Sequence, residues 1–149
     1  SRKLGKTRVM YLSGIPAEEV EMIWEECLPF IELGNNKSQE EYSLEDIKRC
    51  CLTEEMQIWV VFNDEREIHA VVTTQIQIYP NKKTCRIVTL GGKNFDDWVD
   101  LIDTIEEWAK DMNCSSVEMF CRKGFIKKLG SRGYGEIYTV LGKELTTVH

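Results

Sequence analysis

A pair of glycines followed by a lysine and an asparagine is the stretch most able to bind an anion. It lies between a strand pattern and a helix pattern and reads Leu90-Gly91-Gly92-Lys93-Asn94. Glycines leave the backbone uncovered, and the first amides of a helix have no partner within it, so the stretch could bind phosphate beside the Lys93 side chain. The alternative is a plain connection in which Asn94 caps the helix and Asp97 completes a capping box.

Glu118 is the carboxylate best placed for proton transfer. It lies on a predicted strand, Ser116–Cys121, that should neighbour the strand Thr84–Leu90. A buried carboxylate there could act as a general base. The alternative is an ion pair with Arg86 across the two strands, and one isolated carboxylate is not a catalytic constellation. The sequence favours the ion pair.

Other polar side chains each have a structural alternative. His69 has the side chain for base catalysis, but a lone strand histidine is more often simply packed. Thr73 and Gln75 could line an acceptor pocket or belong to a half-exposed strand. A basic cluster could meet phosphates or form the solvated face of a short helix; it comprises Arg122, Lys123, Lys127, Lys128 and Arg132.

Composition bounds the function. The chain has 149 residues, 42% of them hydrophobic and 30% charged, which predicts one domain, 1–149, with an ordinary core. A net charge of -6 argues against nucleic-acid binding. No apolar run approaches the ~20 residues of a membrane span. The six cysteines form no CxxC pair and there are only two histidines, so we expect no metal site. We expect buried free thiols in a reducing compartment, and hence a cytoplasmic protein.

Hydrophobic periodicity predicts alternating strands and helices. Strands are expected at Arg8–Ser13, Gln57–Phe62, Glu67–Tyr79, Thr84–Leu90, Ser116–Cys121 and Tyr134–Leu141. Helices are expected from Pro16 to Gly34 with a kink at Pro29, from Ser43 to Leu52, from Asn94 to Met112 and from Lys123 to Leu129. The second and third of these strands should form a hairpin.

The helix Asn94–Met112 joins two strands that must therefore run parallel, by a right-handed crossover. The strands Gln57–Phe62, Glu67–Tyr79 and Thr84–Leu90 follow one another antiparallel. The predicted fold is α/β, with a mixed and mostly antiparallel sheet, a central parallel pair and helices on both faces.

That element order resembles the GNAT superfamily of acyl-CoA-dependent N-acyltransferases over almost the whole chain. The resemblance implies that the parallel strands splay, that acetyl-CoA lies in the gap between them, and that an amine is acetylated. It places the cofactor contacts at Val88, Leu90, Gly91, Gly92, Lys93 and Asn94, with Glu118 as the residue able to take the proton.

Two segments, RIVTLGGKNFDDW and VEMFCRKGFIKKLGSRGY, look like small phage-encoded GNAT-like proteins, some of which are considered virion components. The superfamily's pyrophosphate motif is absent, and Leu129 occupies the position of its usual tyrosine acid. The alternative to an N-acetyltransferase is therefore a non-catalytic virion or assembly module, in the host cytoplasm or in the virion. It would act through a phage-particle partner or as a homo-oligomer.

Overall fold

A computed structural model describes residues 9–35, 41–121, 123–137 and 141–145. The strands are β1 (Tyr11–Ile15), β2 (Gln57–Phe62), β3 (Ile68–Ile78), β4 (Lys83–Gly92) and β5 (Ser116–Met119). The helices are α1 (Ala17–Asn35), α2 (Leu44–Leu52), α3 (Ile102–Asp111) and α4 (Lys123–Gly130). Two single 3₁₀ turns, Phe95–Asp97 and Val99–Leu101, precede α3.

The five strands lie in one sheet in chain order. β1 to β4 are antiparallel to their neighbours, whereas β4 and β5 are parallel, with Thr84 opposite Ser116 and Ile87 opposite Met119. The predicted mixed, mostly antiparallel sheet with a crossover between its parallel strands is confirmed.

Each face of the sheet carries its own hydrophobic core, as alternating strand side chains require. On one face α1 and α2 bury Val20, Ile31 and Ile47 against strand residues that include Val60 and Val71. On the other face the α3 side buries side chains against β2, β3 and β4, among them Trp59, Val72, Ile87, Trp98 and Ile105. Trp24, Trp59 and Trp98 are buried within these two cores.

The second helix begins as its capping signal predicts. The Ser43 hydroxyl accepts the amide of Asp46, and the Asp46 carboxylate accepts the amide of Ser43. Both backbone donors are thereby satisfied at the helix start, and the negative charge faces its positive end.

The first strand and helix differ from prediction at their ends. β1 continues through Gly14 and Ile15 because Ile15 pairs with Ile58; it stops at Pro16, which has no amide to donate. The predicted start at Arg8 lies outside the described residues. α1 passes Pro29 and does not end at Gly34, since Gly34 packs against the β4 backbone inside the helix.

The predicted helix Asn94–Met112 is wrong over its first eight positions. Asn94 has a left-handed backbone (φ 55°) and makes no side-chain cap, whereas an N-cap needs an extended backbone. Trp98 (φ -136°) then breaks the regular hydrogen bonding and separates the two 3₁₀ turns. Trp98 is 2% exposed, and its indole Nε1 donates to the Lys93 carbonyl at 3.0 Å, so burial of this ring favours the irregular path.

The predicted last strand, Tyr134–Leu141, is wrong where it is described. Residues 134–137 form no strand, and 138–140 lie outside the described residues. The Tyr134 hydroxyl donates to Glu106 of α3 at 2.7 Å, which holds the chain against that helix. Burial, together with this hydrogen bond, raises the pKa of Tyr134. β5 is also shorter than predicted and ends at Met119, before Cys121.

The six cysteines are free thiols, and Cys27, Cys50, Cys51 and Cys85 are buried, as expected. Burial raises the pKa of every one of them, to about 12 for Cys27, Cys51 and Cys85. Because the thiolate is the nucleophile, these thiols are poorly activated at neutral pH. Within the described ranges, no helix is long and apolar enough to cross a membrane, and no cluster of potential metal ligands occurs.

Candidate active site

Val88 of β4 has no paired residue on either neighbouring strand. Its pairing with β5 ends at Ile87 opposite Met119, although β4 continues to Gly92. On the other side, Thr73 pairs with Thr89 and Thr74 with Ile87, so Val88 has no opposite residue on β3. Such a bulge leaves the extra residue outside the ladder of hydrogen bonds. The ladder of paired residues is therefore open at Val88, which has no Cα partner on either neighbouring strand.

Two threonines fix the backbone beside this bulge. Their hydroxyls lie 2.7 Å apart, and the Thr89 amide donates to the Thr73 hydroxyl at 3.2 Å. Both side chains are buried. Thr73 therefore replaces a missing backbone acceptor and holds the bulge in shape, which assigns it a structural contact and not a place in an acceptor pocket.

The predicted glycine turn is wrong, because Gly91 and Gly92 are the last residues of β4, opposite Val71 and Ala70. A Cβ on Gly91 would overlap the carbonyl oxygen of Phe30 and lie 2.7 Å from the amide nitrogen of Gly34. Gly91 and Gly34 are needed because α1 crosses β4 with backbone against backbone, and no side chain fits between them.

Lys93 and Asn94 follow β4 and are exposed. The Lys93 amide donates to the His69 carbonyl at 3.0 Å, and the Asn94 carbonyl accepts the Asp97 amide at 2.9 Å. The Lys93 amide is thus already used within the protein. What this segment offers an anion is the Lys93 side chain, with the carboxylates of Asp96 and Asp97 one turn away opposing it.

Glu118 lies directly opposite Arg86 and forms the ion pair that the sequence favoured. Arg86 Nη2 is 3.1 Å from Glu118 Oε1, and the side chains are 22% and 9% exposed. Arg86 Nη2 also donates to the Tyr79 hydroxyl at 3.3 Å, and its guanidinium carbon lies 4.6 Å from the Phe120 ring centroid. Nothing in the sequence pattern singled out Tyr79 or Phe120, because their contacts depend on the sheet register.

Replacing Arg86 with leucine should lower the free energy of unfolding by about 2 kcal/mol, between the values typical of surface and buried pairs. The loss arises because Glu118 stays buried without its cation. Urea unfolding of Arg86→Leu, Glu118→Leu and the double variant measures it. If the double variant is no more stable than Arg86→Leu, the uncompensated-charge explanation is wrong.

His69 is buried and lies away from Glu118. Its neighbour Ala70 pairs with Gly92, whereas Glu118 pairs with Arg86 at the other end of β4. The structure therefore does not bring His69 and Glu118 into one catalytic arrangement. His69 instead contacts Asn63, whose Nδ2 is 3.2 Å from His69 Nε2.

The basic cluster is largely occupied by acidic partners. Lys128 lies 3.5 Å from Asp96, and Arg132 contacts Asp100 at 3.4 Å and Asp103 at 2.6 Å. Lys127 is exposed, Arg122 lies outside the described residues, and the side chain of Lys123 is not described. These pairs join α4 and the residues just after it to the two 3₁₀ turns and to the first turn of α3, and they support the structural alternative for Lys128 and Arg132.

Comparison with solved structures agrees with this architecture. An aminoglycoside antibiotic 6'-N-acetyltransferase of Acinetobacter baumannii superposes with a TM-score of 0.63 at 12% identity, covering 93% of this chain and 99% of that one. The fold is that of the GNAT acetyltransferases. A GNAT family acetyltransferase of Staphylococcus aureus gives 0.58 at 14% identity, covering 91% and 98%. Glucosamine-6-phosphate N-acetyltransferase of Arabidopsis thaliana gives 0.63 at 12%, covering 93% and 99%.

No protein-family profile matches the chain, and no curated protein matches its sequence. The GNAT likeness therefore rests on three-dimensional arrangement. None of these comparisons bears on the predicted phage origin.

Proposed function

We propose that this protein is an acyl-CoA-dependent N-acetyltransferase of the GNAT type. The observation that carries the proposal is the opening of the ladder at Val88, where pairing of β4 with β5 has ended and β4 is bulged against β3. Strand backbone groups that lack a ladder partner can polarise a carbonyl that lies beside them. Acetyl-CoA supplies the activated acetyl group, and the acceptor is an amine.

Different residues around the opening bind different parts of the cofactor. Val88 and Leu90 present the β4 backbone to the acyl and pantetheine part, while Lys93 supplies positive charge for the diphosphate. Gly91 keeps α1 against the strand, and Gly92 allows close approach of β4 to His69 and Ala70 of β3. Asn94 sets the path of the chain beyond β4. This assignment keeps the predicted cofactor residues but gives the glycines a packing role.

Proton removal from the amine falls to water or to Glu118. The Glu118 carboxylate is 9% exposed and already held by Arg86 at 3.1 Å, so the ion pair restrains it from turning toward a reacting amine. We therefore assign Glu118 the role of an electrostatic partner for an approaching ammonium group, with proton transfer slow.

Binding is tested by thermal unfolding with acetyl-CoA. At a ligand concentration about 100 times the dissociation constant, the native state should be stabilised by about 2.7 kcal/mol. Lys93→Glu should reduce the shift, since it places a negative charge beside the diphosphate. Lys110→Glu, on the exposed end of α3, makes the same change in net charge and should leave the shift intact. A melt that does not respond to millimolar acetyl-CoA would contradict the proposal.

The second candidate is a non-catalytic GNAT-like module that acts in assembly. It is favoured by Leu129, which is 2% exposed and stands where the resemblance places a tyrosine acid. It is favoured also by the engaged Lys93 amide. The phage-particle and homo-oligomer partners belong to this candidate and stay predictions. Absence of both binding and turnover would leave it as the better account.

A further inference from the structure

Asn63 is the centre of a buried hydrogen-bond network in the turn between β2 and β3. Its side chain is 8% exposed. The side-chain oxygen accepts the amides of Glu65 at 3.0 Å and Glu67 at 2.9 Å. The side-chain nitrogen donates to the Glu67 carboxylate at 2.7 Å and lies 3.2 Å from Nε2 of His69.

These contacts determine which ring nitrogen of His69 carries the proton. A backbone amide can only donate, so the atom of Asn63 that faces Glu65 and Glu67 must be its oxygen. The atom facing His69 is then the amide nitrogen, which can only donate, and Nε2 must be the acceptor. His69 therefore carries its proton on Nδ1. Nδ1 is buried and has no hydrogen-bond partner among the described residues.

The same histidine is connected to the segment after β4. Between β2 and β3 the register shifts, with Val61 opposite Ala70 and Phe62 opposite Ile68, so His69 is the extra residue of a second bulge. A bulge re-aims the backbone groups of its extra residue. The His69 carbonyl accepts the Lys93 amide at 3.0 Å. The direction of that carbonyl depends on the backbone conformation of the bulge at His69.

We propose that Asn63 and His69 are positioning residues for Lys93 and Asn94. The Asn63 amide fixes the His69 ring, the ring fixes the bulge, and the bulge carbonyl fixes the Lys93 amide and hence where its side chain starts. The expected effect on acetyl-CoA binding rests on the proposed function, because Lys93 is assigned to the diphosphate there. The expected effect on the position of Lys93 rests only on the contacts described above.

The native protein gives the first measurement. Nitrogen-15 NMR of the histidine rings at neutral pH should show His69 with a protonated Nδ1 and an unprotonated Nε2, the signal being assigned by its loss in His69→Gln. In the double variant Asn63→Asp, Glu67→Gln the oxygen acceptor of the turn remains and the glutamine amide can donate to the new carboxylate. The donor to His69 is lost, so the proton should move to Nε2. A native Nε2 that carries the proton would overturn the network.

Hydrogen exchange tests the connection to Lys93. In His69→Leu the backbone carbonyl remains, yet the Lys93 amide should exchange at least about tenfold faster than in the native protein, as expected for a locally opened segment. In His69→Gln exchange should return toward the native rate, since the glutamine oxygen can accept from Asn63. Ile47→Val, in the α2 core, controls for general destabilisation. Equal Lys93 exchange in His69→Leu and Ile47→Val would overturn the inference.

Acetyl-CoA titration separates the two proposals. If the native protein binds, His69→Leu should raise the dissociation constant and His69→Gln should largely restore it. If binding is unchanged in His69→Leu, positioning of Lys93 by this network is refuted. If the native protein does not bind acetyl-CoA, the proposed function fails, and the ring-nitrogen and exchange measurements still decide whether the network positions Lys93.

Discussion

Replacing Gly91 with alanine is expected to destabilise the protein by about 3 kcal/mol or more, at the upper end of overpacking penalties. The added Cβ would overlap the Phe30 carbonyl oxygen and crowd the Gly34 amide nitrogen at 2.7 Å. Both obstacles are backbone atoms of one continuous helix. Relief therefore requires α1 to move away from β4 as a unit, which would open the core that contains Val20, Cys27 and Ile31. Urea unfolding followed by circular dichroism gives the loss.

The matched control is Gly135→Ala. A Cβ at Gly135 would meet nothing within 4 Å, so this variant should stay within about 0.5 kcal/mol of the native protein, as for other open surface positions. Gly34→Ala approaches the Leu90 amide nitrogen at 2.9 Å and should fall between the two. A Gly91→Ala protein as stable as Gly135→Ala would show that the helix does not press against the strand.

Gly91 also shows why the candidate site was only partly predictable. Two adjacent glycines after an apolar strand have the composition of a turn, and the sequence alone favours that interpretation. Pairing with Val71 and Ala70 of β3 places them in β4, and contact with a helix more than fifty positions earlier in the chain requires a glycine at position 91. Gly34 and Gly91 are both explained by their contact where α1 crosses β4. Hydrophobic periodicity along the sequence does not predict contacts of this kind.

Elements with a strong local signal were predicted correctly. The Ser43 capping box, the β2–β3 hairpin and the parallel β4–β5 pair follow from short-range chemistry or from the length of the crossover. The Arg86–Glu118 pair was also predicted correctly. Once the two strands are known to be parallel neighbours, few basic residues can lie opposite a buried Glu118.

Features that depend on register were not predictable. The bulges at Val88 and His69 arise from a one-residue mismatch between paired strands, and no residue type marks that position. The 3₁₀ path after Asn94 depends on burial of Trp98, which competes with the helix propensity of the same residues. The contacts that define the opening are therefore tertiary in origin.

Catalysis by the native protein is expected to be slow. Glu118 is held by Arg86 at 3.1 Å, and Leu129 cannot protonate a departing thiolate. A positioned general acid or base typically raises the rate about 10²–10⁴-fold. The native protein should therefore turn over more slowly, by that factor, than an acetyltransferase that has such a group. The measurement is thiol release from acetyl-CoA with a panel of amines, amino sugars and lysine peptides. Fast native turnover would show that another residue supplies the proton.

Leu129→Tyr tests the missing acid, with Leu129→Phe as its matched control. Leu129 is 2% exposed, so either ring must fit an interior site, and only tyrosine brings a hydroxyl that needs a partner there. If the opening at Val88 holds acetyl-CoA, the tyrosine variant should release thiol faster than both the native protein and the phenylalanine variant. Equal rates in two folded variants would place position 129 away from the leaving sulfur. Because the two rings differ only in the hydroxyl, a gain confined to tyrosine would identify proton donation as the step that the native site lacks.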